Sequence, residues 1–373
     1  MKVCYVSNTA GNSGAPKMLG LVRDWFRSRF PRSEESFLFP LDSHSEVARR
    51  MGRVFYDAAL TFPERVALAE KMLTEEAPDL IVVNTLRVAA FGVAARKLGV
   101  PCILYAHEMG DTISFLVQRG YASLDVGRYL DLTLWASKGA RDQWAYLTGH
   151  TDHSMVLESC FTEKLFSQST RPAPTEIVQK LAQYRSIVMS VGTICLRKGF
   201  DRFIDLAAQF PSVPFVWVGG FDGSDPTEAQ ALKVQADSVK NVAVTGDIAD
   251  PKSVLALSTL VLFLSREDPN PLTIHEAVHH GFKHIAVLEG LGETRVPLAS
   301  GGAVLRYDPN LISRLIDQEV MFEANVEGSL TDYRIERNSA FKAAYSHLVR
   351  REEHFFDDLD AIQKSEPVFS RLR

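Results

Sequence analysis

Short apolar runs alternate with amphipathic stretches along the whole chain, and this alternation restricts the fold more than any other feature. Runs at 2–7, 36–39, 79–84, 102–106, 132–136 and 155–157 are rich in Val, Ile and Leu and read as strands. Helical patterns at 16–30, 63–76, 86–98 and 138–147 separate them. Strands that are apolar on both faces, each followed by a helix, predict a parallel sheet covered on both sides. The pattern lapses over 160–175, where Ser-Gln-Ser-Thr-Arg-Pro-Ala-Pro reads as a linker. It then restarts with strands at 187–191, 215–218, 242–245, 260–264, 284–288 and 303–305. The expected fold class is α/β, with two doubly wound, Rossmann-like halves over 1–165 and 176–340. Residues 311–360 read as mostly helical and charged.

The length of 373 residues suits two domains, and a hydrophobic content of 46% supplies two cores. A net charge of −5 and the lack of a Lys/Arg-rich block exclude a generally nucleic-acid-binding surface. Cys4, Cys102, Cys160 and Cys195 stand singly, which suits a reducing cytoplasm and offers no zinc knuckle. Residues 1–7 enter a strand at once and lack the features of a signal peptide. No apolar run approaches the ~20 residues that span a bilayer. The expected location is cytoplasmic. Helix 16–30 carries Lys17, Arg23, Arg27 and Arg29 among Met18, Leu19, Val22, Trp25, Phe26 and Phe30. Such a basic amphipathic helix either packs on the core or lies peripherally on the inner face of a membrane.

Doubly wound sheets bind ligands at the carboxyl ends of their strands, and two facing halves would form an interdomain cleft. The loops at those ends therefore carry the candidates. Gly192-Thr-Ile-Cys-Leu-Arg-Lys-Gly199 follows a strand and opens a helix, with Thr193, Arg197 and Lys198 beside backbone N–H groups. Cations next to a helix N-terminus suit a diphosphate, while the spacing of a Walker loop is absent. Asp268, Asn270, Pro271, Leu272 and Glu276 follow the strand at 260–264. Carboxylates there accept hydrogen bonds from vicinal hydroxyls, as on ribose or hexose. Asn8-Thr-Ala-Gly-Asn-Ser-Gly-Ala-Pro16 lets a ligand approach backbone near Gly11 and Gly14, without the dinucleotide G-x-G-x-x-G. His107, at the end of the strand 102–106, can orient or deprotonate a hydroxyl.

His275-Glu276-Ala-Val-His279 also matches the zinc-hydrolase pattern H-E-x-x-H. Its two histidines would share one helix face, but a third ligand is needed. Gly281 and His284 fall one residue early for the metzincin extension, and His280 points ~100° away from His279. Glu289 and Glu293 lie on the next strand-end loop.

Taken in order, these loops resemble the retaining GT-B glycosyltransferases of family 4. Val191-Gly-Thr-Ile-Cys-Leu-Arg-Lys-Gly199 is similar to that family's V-G-R-x-x-x-x-K-G loop. Ser265-Arg-Glu-Asp-Pro-Asn-Pro-Leu272 with Glu276-Ala is similar to its S-R-E-D-P-F-P-L…E-A segment. Phe215-Val-Trp-Val-Gly219, Val244-Thr-Gly-Asp247 and Ser13-Gly-Ala-Pro16 fall where the family has a strand, a turn and a small-residue loop.

The resemblance implies a sugar transfer from a nucleotide-diphosphate sugar to a glycan or glycolipid hydroxyl, in polysaccharide or glycoconjugate biosynthesis. It implies no cofactor and no metal, because cations and a helix N-terminus replace one. Lys198 and Arg197 would stabilise the diphosphate, with Gly192 and Thr193 in the same loop. Glu276 would bind the ribose, and Asp268 would touch the sugar with Asn270, Pro271 and Leu272 around it. Asn8, Gly14 and His107 would face the acceptor, Gly14 near the diphosphate as well. Residues 341–373 would cross back to the first domain. Three positions depart from the family: Thr193 for Arg, Asp268 for the first Glu, and Asn270 for Phe. A sugar-nucleotide epimerase and a catalytically silent binding protein share the same scaffold.

Overall fold

A computed structural model describes residues 1–11, 13–40, 45–57, 59–151, 153–162, 175–221, 225–248 and 251–370. The chain divides into two compact units. Unit 1 comprises Met1–Cys160 and Arg351–Arg373, and unit 2 comprises Phe161–Arg350. Residues 163–174, most of the expected linker, lie outside the described residues.

Among the described residues, unit 1 has seven parallel strands: β1 (Lys2–Ser7), β2 (Glu34–Pro40), β3 (Arg53–Phe55), β4 (Leu80–Asn84), β5 (Cys102–Ala106), β6 (Leu132–Trp135) and β7 (Ser154–Val156). Their order is β3-β2-β1-β4-β5-β6-β7. Every residue of β4, β5 and β6 is buried, as strands covered on both faces must be. The register sets Ser7 against Asn84 and Asn84 against Tyr105. The ends of β1, β4 and β5 thus stand side by side. The winding direction reverses between β1 and β4, the position where such sheets open a crevice.

Unit 2 repeats the plan with, among the described residues, six parallel strands: β8 (Val188–Val191), β9 (Phe215–Val218), β10 (Val242–Val244), β11 (Leu260–Phe263), β12 (His284–Val287) and β13 (Ala303–Val304). Their order is β10-β9-β8-β11-β12-β13, so the reversal falls between β8 and β11. Trp217 fills one face with Phe200 and Phe203 in edge-on contacts at 4.9 and 5.3 Å. Helices Pro309–Ala324 and Leu330–Tyr345 are joined by a buried ion pair, Arg334 Nε to Glu323 at 2.7 Å. Thr259, just before β11, donates to the same carboxylate.

The last helices belong to unit 1. Trp25 Nε1 donates to Asp360 at 2.8 Å, and its ring meets Phe369 edge-on at 5.9 Å. Helix Gly14–Arg29 buries Met18, Leu19, Leu21, Val22, Trp25 and Phe26 in the core. Its basic side chains find acids within the unit: Arg23 and Arg27 pair with Glu35, and Arg29 with Asp360. The apolar face over 16–30 is therefore packed inside unit 1. Among the described residues, no helix is long and apolar enough to cross a membrane.

Candidate functional site

At the β8 end, Gly192 has φ +144° and Gly199 has φ +79°. A Cβ on Gly199 would lie 2.2 Å from the Leu264 carbonyl oxygen. Only glycine fits both that backbone angle and that approach to the end of β11. Between the two glycines, a single 3₁₀ turn, Leu196–Lys198, leads into helix Phe200–Ala207. The turn is stitched to the neighbouring loop. Arg266 N donates to the Arg197 carbonyl at 2.8 Å, and Arg197 Nη1 donates to the Glu267 carbonyl at 2.9 Å. Arg266 also grips Asp201 through two bonds of 2.6 and 2.7 Å. Burial of Asp201 opposes its charge, but the Arg266 guanidinium outweighs this and holds its carboxyl below the usual range.

This stitching brings Lys198 to Asp268, whose carboxylate accepts a hydrogen bond from the Lys198 ammonium. Asp268 is 5% exposed and its backbone is fixed. Its N–H donates to the Gly290 carbonyl at 2.6 Å, and its carbonyl accepts from Gly292 N at 2.9 Å. Gly290 must be glycine, since a Cβ there would sit 1.7 Å from the Arg266 carbonyl oxygen. Pro271 precedes helix Leu272–His280 as its cap, and Leu272 and Glu276 are both buried. Glu276, at 3% exposed, is not the solvated helix residue that its charge alone suggests. Asn270 is buried too, and its Oδ1 lies 2.7 Å from His275 Nε2. Burial, with Arg295 and Arg350 nearby, pushes the His275 pKa down to about 4. The ring is neutral at pH 7.

The structure thus brings Gly192, Thr193, Arg197, Lys198, Asp268, Asn270, Pro271, Leu272 and Glu276 into two adjoining loops of unit 2. It gives the two histidines of the zinc pattern different neighbours. His275 is engaged with Asn270, while His279 stacks on Phe161 at 4.3 Å. Among the described residues, no three His, Cys, Asp or Glu side chains gather in a way that could hold a metal ion. These contacts do not favour the zinc reading.

Asn8, Gly14 and His107 fall in unit 1. His107 Nε2 lies 3.1 Å from Asn84 Oδ1, and Asn84 Nδ2 donates to Ser7 Oγ at 3.1 Å. Ser7 Oγ in turn donates to the Thr9 carbonyl at 3.1 Å. The direction of this chain orients the Asn84 amide, so His107 donates through Nε2 and keeps a lone pair on Nδ1. Part of the His107 surface is open, yet the protein encloses the ring closely enough that desolvation lowers its pKa to about 3. Glu108 accepts from the N–H groups of both His107 and Leu86, at 2.9 and 3.0 Å. Gly14 begins helix Gly14–Arg29, whose N-cap Ser13 makes no side-chain cap bond and whose first turn holds no acid. Sequence reasoning missed Ser7 and Asn84, because only the strand register brings them to His107, and it gave no role to Glu108, the residue next in sequence.

No family model matches the chain. HepE of Anabaena, solved in complex with UDP and glucose, superposes with a TM-score of 0.73 at 17% identity, covering 98% of this chain and 100% of that one. Sucrose-phosphate synthase of Thermosynechococcus elongatus superposes with a TM-score of 0.67 at 17% identity, covering 98% of both chains. These likenesses establish the GT-B fold, with its two Rossmann-like sheets. In sequence, alpha-galactosylglucosyldiacylglycerol synthase of Streptococcus pneumoniae is 31% identical over 116 residues, 28% of this chain. The chain spans about a third of that relative's length, 31%.

Proposed function

We propose that the chain is a retaining glycosyltransferase that moves a hexose-type sugar from a nucleotide-diphosphate sugar to an acceptor hydroxyl. The observation that carries this reading is the contact of Lys198 with buried Asp268 at the β8–β11 reversal, with Glu276 buried on the helix that follows. A cation for a diphosphate, a carboxylate for the sugar and a carboxylate for the ribose are thereby gathered on one unit. The S. pneumoniae relative is named as a synthase of a glycosylated lipid. HepE was captured with UDP-glucose. Both names agree with a sugar-nucleotide donor and with a role in glycan or glycolipid assembly.

In this reading Lys198 stabilises charge developing on the leaving diphosphate, and exposed Arg197 adds its remaining N–H groups while it braces the loop. Preorganised donors of this kind are worth roughly 3–4 kcal/mol of barrier each. Glu276 accepts the ribose hydroxyls. Asp268 accepts from the transferred sugar once the diphosphate draws Lys198 away. Asn8, His107 and the helix start at Gly14 serve the acceptor side. Neutral His107 acts there as a hydrogen-bond partner and not as a cation. Bond breaking and bond making occur on one face of the sugar, and the leaving phosphate oxygen takes the acceptor proton. No metal or other cofactor enters this scheme, and the setting is cytoplasmic.

The test is ¹H NMR of donor and acceptor mixtures turned over by the protein. Release of nucleoside diphosphate with a product of unchanged anomeric configuration supports the proposal. An inverted product refutes retention, and an epimerised donor without transfer favours the epimerase reading.

A further inference from the structure

His275 belongs to the zinc-like pattern, and the proposed function leaves it without a task. It is 2% exposed, on the buried side of helix Leu272–His280. Its Nε2 lies 2.7 Å from Oδ1 of Asn270, itself 5% exposed. An amide oxygen only accepts, so Nε2 carries the hydrogen. Nδ1 is buried without a partner. A hydrogen on Nδ1 would stand unsatisfied, and a charged ring would face Arg295 and Arg350. The neutral Nε2–H tautomer is the form these surroundings allow. It fixes which end of the Asn270 amide faces the ring.

The place of this bond in the helix gives it a purpose. Pro271 is the N-cap and makes no side-chain cap bond. Asn270 is then the residue before the cap, and His275 the fourth helical residue. An apolar pair at those two positions commonly staples a helix start and sets the angle at which the chain enters. Here a buried hydrogen bond takes that place. The helix has other anchors, because Ile274, Ala277 and Val278 lie in the unit 2 core. Asp268 is fixed by its backbone bonds to Gly290 and Gly292. His275 holds the residue between these two anchored points, on the segment that joins the proposed sugar carboxylate to the helix of Glu276.

We infer that His275 is a positioning residue, whose Nε2–H holds the Asn270 side chain where the loop meets the sugar of the donor and not its nucleotide. The inference rests on the donor site of the proposed function. The experiment is calorimetric titration of the whole chain with UDP-, GDP-, ADP- and dTDP-glucose, and with the nucleoside diphosphate matching whichever of them binds. His275→Leu is expected to bind the nucleotide sugar about tenfold more weakly and the bare diphosphate within about twofold of wild type. His275→Gln, whose amide nitrogen reaches as far as Nε2, should restore sugar-nucleotide binding. His275→Asn is too short and should not. In an Asn270→Ala background, His275→Leu should add little, as expected of one residue acting through the other. No weakening, or equal weakening of both ligands, overturns the inference. Equal losses in the Gln and Leu variants do so too, because the hydrogen bond would then be irrelevant. ¹⁵N NMR of the wild-type imidazoles reads the tautomer without any ligand. His275 should carry its hydrogen on Nε2 at neutral pH, and an Nδ1–H form overturns the staple. Failure of wild type to bind any of the four donors sinks the proposed function and the sugar-side role with it. The staple then stands or falls on the tautomer.

Discussion

Replacing Lys198 with Met separates two roles that the structure superimposes. The Lys198 side chain is one-fifth exposed (20%) and that of its partner Asp268 nearly enclosed, at 7%. Removing one partner of a buried pair costs about 3–5 kcal/mol, mostly through the charge left behind. The partial exposure of Lys198 lowers the expected loss below that range, to about 2–3 kcal/mol. The Asp268 carboxylate is nearly enclosed and its backbone is tied to Gly290 and Gly292, so the orphaned charge has little access to water where it stands. Adding Asp268→Asn should then recover most of the lost stability, since the orphaned charge is gone. Catalysis should behave differently. Lys198→Met should lower kcat/KM by about 10²–10³-fold, and the second substitution should not restore it. Urea unfolding and steady-state transfer kinetics on the two variants give both readings. If the double variant recovers activity along with stability, Lys198 acts only by neutralising Asp268, and its assignment to the diphosphate is wrong.

Other outcomes follow from the same contacts. Burial lowers the folded pKa of His275 and of His284 to about 4. The unfolded chain therefore binds these protons first, so stability is complete above pH ~6.5 and falls as pH drops through that value towards 4. At pH 5 each histidine should cost about 2 kcal/mol; NMR titration midpoints near 6.5 would contradict this. Glu323→Gln strips the partner from Arg334 in the unit 2 core and should cost about 3 kcal/mol or more in urea unfolding, with no loss counting against a structural pair. Gly199→Ala must push against the Leu264 carbonyl and should unfold well below Gly192→Ala, whose Cβ would meet nothing nearer than Lys198 at 3.9 Å. Equal midpoints for these two would argue against the close loop packing.

The two sheets were legible because their central strands are apolar on both faces, and that signal survives without any knowledge of partners. Strand β3 was not, since Arg53-Val-Phe55 is three residues long at a sheet edge with one buried side chain. The loops of unit 2 were legible as loops, because Gly192, Gly199, Pro269 and Pro271 punctuate them. Their joinery was not. Lys198 meets Asp268 across seventy positions of sequence, |i−j| = 70, and only strand order sets that distance. Glu276 reads as a surface acid until the helix carrying it is seen to be buried. The His275–His279 pattern misled in the opposite sense. Letters at the right spacing share a helix face, but Asn270 and Phe161 decide where the two rings go. Thr85, at φ +82°, gave no warning at all, because nothing in Asn-Thr-Leu suggests a positive φ.

The central claim is that the paired loops of unit 2 hold a nucleotide-diphosphate sugar. The most direct measurement is the unfolding midpoint of the whole protein across a panel of UDP-, GDP-, ADP- and dTDP-sugars, with zinc and EDTA alongside. The account predicts an upward shift with one nucleotide class, lost in Lys198→Met, and none with zinc. A panel without any nucleotide response, or a shift that Lys198→Met retains in full, would contradict it.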